Sequence, residues 1–240
     1  MKKTITLILL IIIVFCFVGC KEATIANKPD ADGAGLYVTG TNELIYSWSE
    51  MVNMGWINED GTANFEYKNN ISGKLVFPKD LYNIPCYAFS WCQNLKEIVL
   101  SDSIETIETC AFEGCTALTN VTIPSNVGEG AFIYCASLRV VTISEGVSKI
   151  EKQAFSGCES LERITIPKSI KSIGAKAFYE CERLEEIIYG GTRDEWRNIE
   201  KPNVRTDFNV IDFGVLDNWD AVTDLYTIKC VDGDIAKYDQ

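Results

Sequence analysis

Residues 154–173 read Ala-Phe-Ser-Gly-Cys-Glu-Ser-Leu-Glu-Arg-Ile-Thr-Ile-Pro-Lys-Ser-Ile-Lys-Ser-Ile. The stretch opens on Ala-Phe, places a Cys three residues after the Phe and a Leu three further on, then sets Ile164 and Ile166 three and five beyond the Leu. The same order begins at Ala88, Ala111, Ala131 and Ala177, with steps of 23, 20, 23 and 23 residues between the five starts. That period lies in the range of solenoid repeats and is far too long for a helical or strand period. A repeat of this kind cannot bury its apolar face alone, so its neighbours stack into one continuous core and expose a long regular surface.

Each row of the pattern recurs once per coil. The cysteines are Cys92, Cys115, Cys135, Cys158 and Cys181, and the leucines are Leu95, Leu118, Leu138, Leu161 and Leu184. Next come Ile98, Val121, Val141, Ile164 and Ile187, then Leu100, Ile123, Ile143, Ile166 and Tyr189. Alternation at period two over β-branched residues marks a short strand with both rows pointing inward. Pro124 and Pro167 end it, because proline cannot donate to the ladder. Ile104, Val127, Val147 and Ile170 begin the return side, and Ile107, Ile150 and Ile173 follow three residues later.

The short step falls where Val127-Gly128-Glu129-Gly130-Ala131 replaces what is elsewhere Val, six residues and Ala. The reading places the missing three residues after Val127, with Gly128 and Gly130 supplying the backbone angles that cut the corner. A deletion tolerated in a loop accounts for this, and a functional notch is the alternative. Upstream, Leu75, Phe77, Leu81 and Ile84 keep the 23-residue register, so an incomplete coil starts near Ile71.

Both ends of the stack need covers. Ser47 and Glu50 have capping-box spacing ahead of Met51 and Val52, Gly55 is placed to stop a short helix, and Trp48 and Trp56 would shield the first coil. At the other end Thr192 and Glu195 repeat the capping-box spacing, Trp196 and Ile199 fall on one helical face, and Pro202 ends that helix. Leu225 to Val231 reads as a strand, Asp232-Gly233 as a tight turn and Ile235 to Tyr238 as the return strand.

Lys2 and Lys3 precede an unbroken apolar run from Leu7 to Val18, the layout of a secretory leader and short for a membrane span. Phe17-Val18-Gly19-Cys20 resembles the bacterial lipobox at Gly19 and Cys20, with Phe17 and Val18 in place of the usual Leu and small residue. The expectation is cleavage before Cys20 and its lipidation. The organisation is then a leader over 1–19, a flexible polar tether over 20–40, an N-terminal cap over 41–70, repeats over 71–189 and a C-terminal cap over 190–240. The roughly 220 residues that remain suffice for one continuous solenoid with its caps.

Removing the leader takes away two lysines and no acid, which moves the formal net charge from −12 to −14. An acidic chain with no Lys/Arg cluster repels phosphate backbones, which excludes nucleic acid as a partner.

The repeat resembles the BspA-like leucine-rich repeat family, bacterial surface proteins whose 23-residue unit carries Ala-Phe-x-x-Cys-x-x-Leu. Residues 158–173 are very near that family's usual wording. Tyr189-Gly190-Gly191-Thr192 with Trp196 and Ile199 resembles the element that commonly follows its last repeat, and residues 227–233 resemble a terminal hairpin of many members. The resemblance covers roughly residues 71 to 240. It implies an α/β solenoid, a right-handed leucine-rich-repeat coil with short parallel strands, an N-terminal helix/strand cap and a C-terminal helix plus β-hairpin cap. It also implies a role in adhesion or other surface interaction, with no catalytic site and no particular partner.

With Cys16 removed and Cys20 modified, eight cysteines remain in an exported protein, where disulfides are permitted. Five occupy one inward row, as expected of buried thiols that act as small apolar side chains. Cys86 and Cys110 lie one coil apart and one position out of register, which leaves a bridge between them open. No metal site is expected, since the chain has no His and no Cys-x-x-Cys pair.

The absence of His removes a Ser or Cys nucleophile assisted by His, and no Gly-rich phosphate loop is present, so no cofactor is expected. Carboxylate-only chemistry is the distant alternative, but Glu159, Glu162, Glu185 and Glu186 read more simply as a solvated rim. The chain is read as a non-enzyme. The candidate binding surface is the outward side of the strands, presumed concave. One file there holds Glu97, Asn120, Val140, Arg163 and Glu186, and the adjacent one Val99, Thr122, Thr142, Thr165 and Ile188. The first varies in charge and size at each coil while the inward rows do not. The sequence therefore points to a lipid-anchored surface protein, held in the outer membrane, that binds a protein or glycan on a cell surface or matrix. A periplasmic scaffold is the runner-up.

Overall fold

The computed structural model describes residues 34–37, 44–58, 61–201 and 227–235. The leader, Cys20, most of the tether, Pro202 and the flanks of the terminal hairpin lie outside these residues. The chain begins with two antiparallel strands, β1 (Gly35–Tyr37) and β2 (Leu44–Ser47), followed by a helix over Trp48–Asn53. Gly35–Tyr37, which composition assigned to the tether, is thus a strand, and it pairs antiparallel with the first strand of the stack.

Every coil then contributes one strand to each of two sheets. The pairs are β3 (Gly73–Val76) with β4 (Asn83–Ile84), β5 (Leu95–Val99) with β6 (Thr106–Ile107), and β7 (Asn120–Ile123) with β8 (Asn126–Val127). They continue with β9 (Val140–Ile143) and β10 (Lys149–Ile150), then β11 (Arg163–Ile166) and β12 (Ser172–Ile173). The last coil ends in β13 (Glu186–Tyr189), and the hairpin β14 (Thr227–Cys230) and β15 (Gly233–Ile235) closes the stack. The long sheet has ten strands in the order β15-β14-β13-β11-β9-β7-β5-β3-β1-β2, and the short sheet has five two-residue strands. Strands β3 to β14 of the long sheet are parallel, as are all those of the short one. This is a β-solenoid of about five turns with short helices near its ends.

The third side of each coil carries the Ala-Phe motif and is built from turns. Its backbone is bonded from coil to coil as regularly as a sheet. Tyr87, Phe89 and Trp91 donate N–H groups to the carbonyls of Thr109, Ala111 and Glu113, and the next coil repeats this from Cys110, Phe112 and Gly114 to Glu129, Ala131 and Ile133. This ladder requires left-handed backbone at two positions per coil, the residue before the Ala and the third residue after it. Tyr87, Cys110, Gly130, Gln153 and Lys176 occupy the first, with φ between 54° and 60°.

Inside, the repeat rows become ladders. Phe89, Phe112, Phe132, Phe155 and Phe178 stack nearly parallel, with centroids 5.6, 5.2, 5.7 and 5.8 Å apart. Offset stacking of this kind adds about 0.5–1.5 kcal/mol per pair to what burial alone contributes. Beside it, the Cys115, Cys135, Cys158 and Cys181 thiols donate to the carbonyls of Phe89, Phe112, Phe132 and Phe155 at 3.2–3.3 Å. The row is therefore made of buried thiols, which span to the preceding coil from Cys115 onward. Cys110 is a free thiol, so no bridge joins it to Cys86.

The short coil departs from the sequence reading. Val127 pairs with Ile107 and Ile150, so it belongs to the second return row and the three missing residues lie before it, at Pro124-Ser125. Gly130 has φ +60, the same left-handed backbone that Gln153 and Lys176 adopt, so it cuts no corner. Ser125 is buried in the gap, and its Oγ has no hydrogen-bond partner. In full-length coils a backbone carbonyl receives the next coil at this corner, as Ser148 does from Lys171. In the short coil the Asn126 side-chain oxygen takes that place, accepting from the backbone N–H groups of Ser148 at 3.0 Å and Lys149 at 3.2 Å.

Both capping boxes form, with Ser47 and Glu50 at one end and Thr192 and Glu195 at the other. The first helix ends in a Schellman motif, with Trp56 N–H on Met51 O, Gly55 N–H on Val52 O, and φ +73 at Gly55. Trp48 is buried against Phe77, 5.8 Å between centroids, and Trp56 packs edge-on against Tyr46 at 5.0 Å. The second helix, Arg193–Arg197, is capped at Asn198 and stops short of Pro202. Its Trp196 and the following Ile199 are buried over the last coil, where Trp196 meets Tyr189 edge-on at 5.2 Å. The hairpin turn is Val231-Asp232, because Cys230 pairs with Gly233 and the return strand begins there.

Candidate functional site

The long sheet turns one face to the core and the other outward, since successive side chains of a strand alternate. All ten residues chosen from the sequence lie on the outward face. Glu97, Asn120, Val140, Arg163 and Glu186 pair in register across β5, β7, β9, β11 and β13. Thr122, Thr142, Thr165 and Ile188 form the adjacent file, with Val99 before them. Residue-by-residue pairing also extends the face at both ends, through Lys74 and Val76 on one side and Thr227 and Lys229 on the other. The hairpin residues were missed because they lie outside the 23-residue register. Their signal was the Ile228-Lys229 alternation.

Charge on this face is concentrated at its C-terminal end. Arg163 Nε donates to Glu186 Oε2 at 2.5 Å, and Lys229 Nζ pairs with Glu186 Oε1. The Lys229 ammonium, followed by the Arg163 guanidinium, holds the Glu186 carboxyl below the usual carboxylate range against an opposing effect of burial. Arg163 is therefore partnered. Between this triad and Glu97 the face is uncharged, made of Asn120, Val140, Thr122, Thr142 and Thr165. Exposed pairs of this kind contribute little to stability, so the triad sets the surface potential more than it holds the fold.

The row thiols have no chemistry to offer. Burial pushes Cys92, Cys135 and Cys181 up to about 12, and Cys115 and Cys158 well above the ordinary thiol range. A thiolate is the reactive form, so these five groups are inert in the folded protein.

A two-sheet solenoid with an Ala-Phe turn side, a thiol ladder and capped ends defines a leucine-rich-repeat protein. The model of the BspA type leucine rich repeat region matches residues 61–185 in six copies, and the chain belongs to that family. No curated protein matches the chain. Among solved structures, it is similar to a leucine rich cell surface protein of Faecalibacterium prausnitzii A2-165, with 35% identity and a TM-score of 0.52 over 54% of this chain and 35% of that one. It is also similar to the leucine rich repeat protein of T. pallidum, at 27% identity and a TM-score of 0.44 over 48% of this chain and 55% of that one. A leucine-rich repeat protein of Bacteroides ovatus ATCC 8483 matches at 23% identity and a TM-score of 0.41, over 71% of this chain and 55% of that one. The chain thus spans about a third to a little over half the length of these relatives.

Proposed function

We propose that this chain is a non-enzymatic surface lipoprotein that binds a protein partner through the outward face of its long sheet. The observation that carries the reading is the contrast between the two sides of the same strands. Inward, each coil repeats the same apolar residues; outward, Glu97, Asn120, Val140, Arg163 and Glu186 change in charge and size from coil to coil. A face that packing leaves free to vary is where a solenoid specialises. The name of the Faecalibacterium relative as a cell surface protein agrees with this reading.

Export and anchoring rest on the leader and Cys20. In Cys20→Ser the protein should leave the membrane fraction, because lasting attachment needs at least two acyl chains at about 0.8 kcal/mol per buried CH₂. Protease treatment of intact cells, with a periplasmic marker as control, should remove the wild-type protein; full protection would favour the periplasmic scaffold instead. For binding, the full-length protein is screened against host-surface and envelope proteins, and any partner is retested with Asn120→Arg and Thr142→Arg. These central substitutions should weaken binding by about 1–3 kcal/mol, as a few central residues dominate most interfaces. Unchanged affinity in both would move the site off this face.

A further inference from the structure

We infer that the turn side of the solenoid carries a separate binding surface for a neutral β-1,4-linked glycan, laid across the rings of Trp91 and Tyr134. The second left-handed position of each coil is held by Trp91, Gly114, Tyr134, Gly157 and Glu180, with φ of 63°, 66°, 61°, 72° and 57°. Left-handed backbone costs an ordinary residue about 1–2 kcal/mol, and bulky residues there are outliers. Two of the five positions nevertheless hold large aromatic side chains.

Each ring lies against the glycine of the following coil. A Cβ added to Gly114 would fall 2.6 Å from Cε3 and 2.7 Å from Cδ2 of Trp91, and one added to Gly157 would fall 2.5 Å from Cδ1 of Tyr134. The alternation of aromatic and glycine therefore beds each ring on backbone, so it is fixed without being covered. Trp91 remains 40% exposed and Tyr134 47%. Fully buried phenylalanines already fill the core behind them, so core packing does not account for these rings.

Spacing and charge select the ligand. Trp91 and Tyr134 are two coils apart, and the Phe89, Phe112 and Phe132 rings of the same coils step by 5.6 and 5.2 Å, which sets the spacing at about 11 Å or a little less. In a β-1,4-linked hexopyranose chain every second ring presents the same C–H face at close to that repeat, whereas an α-1,4-linked chain curls away from a straight row. The C–H face of such a sugar is complementary to the negative face of an aromatic ring. Nucleic-acid bases stack on rings too, but a chain of net charge −12 repels their phosphates and disfavours anionic polysaccharides alike.

The test is calorimetric titration of the full-length protein with cellohexaose, chitohexaose and maltohexaose. Saturable binding of at least one β-linked hexaose, with none of maltohexaose, is expected. Trp91→Gly and Tyr134→Gly should each weaken it at least tenfold. Both variants place glycine where other coils already have it and relieve the backbone, so they should fold, as melting would verify. Asn120→Arg and Thr142→Arg on the sheet face should leave sugar binding unchanged, which separates this surface from the proposed protein site. Failure of both β-linked hexaoses to bind, equal binding of maltohexaose, or wild-type affinity in folded Trp91→Gly and Tyr134→Gly would overturn the inference.

Discussion

The thiol of Cys158 donates to the carbonyl oxygen of Phe132, 26 residues earlier and one coil back, at 3.3 Å. The same bond joins every coil of the row to its predecessor from Cys115 onward. The row cysteine thus has two tasks, filling a buried position in the core and satisfying a carbonyl at the start of the turn side.

That arrangement predicts sensitivity to alkali. Folded-state pKa values raised to about 12 in Cys92, Cys135 and Cys181 mean that the folded protein holds protons the unfolded chain releases near 9. Their contribution to stability is therefore complete below about pH 9 and is lost as pH rises toward 12, at up to about 1.4 kcal/mol per pH unit for each thiol. The urea midpoint should fall steeply between pH 9 and 11, and less steeply in Cys135→Ala. A midpoint that stays level over that interval would contradict the burial of the row.

Phe155 lies between Phe132 and Phe178 in the middle of the ring stack. Phe155→Ala should cost about 3–5 kcal/mol through lost burial and the cavity left behind. Denaturant unfolding measures this directly, and a loss below about 1 kcal/mol would mean that the stack collapses to fill the hole.

The two glycines of the short coil should behave differently. A Cβ at Gly128 would fall 2.6 Å from the Ile107 carbonyl oxygen, which cannot yield, so Gly128→Ala should cost about 1–3 kcal/mol. Gly130 has left-handed backbone that Cys110, Gln153 and Lys176 tolerate in other coils, and Gly130→Asn should cost about 1 kcal/mol or less. Melting curves of the two variants rank them, and the reverse order would refute the corrected alignment.

Trp196 closes the C-terminal end over Tyr189. Trp196→Ala should destabilise by about 3–5 kcal/mol and expose the last coil, so the variant should self-associate in sedimentation at concentrations where wild type is monomeric. A variant that sediments and melts like wild type would remove the capping role.

The repeat rows were legible because burial demands one residue class at each inward position, and both capping boxes because their chemistry is local. Three features escaped. The left-handed positions hold Tyr87, Cys110, Gly130, Gln153 and Lys176, so no residue type marks them; the demand comes from the ladder between coils. Val127 fits either return row by composition, and only Gly128, matching Ile173-Gly174, carried a clue to the right one. Strand β1 was hidden because Gly35–Tyr37 is only three residues long and is a strand by virtue of its two partners, Leu44–Ser47 and Gly73–Val76. On the outward face, the files were readable from alternation. The Arg163–Glu186–Lys229 triad was not, because Lys229 arrives from a hairpin more than forty residues beyond Glu186.

On all three sides of the coil, the backbone hydrogen bonds between coils run along the axis of the stack. Tension applied along that axis therefore loads the bonds of one coil at a time instead of shearing many together. A molecule held at one end and pulled from the other should yield by peeling, each coil releasing its length at a modest force while the rest stays folded. Single-molecule stretching should record a series of small evenly spaced steps; one abrupt rupture of the whole chain would show that the stack shares its load.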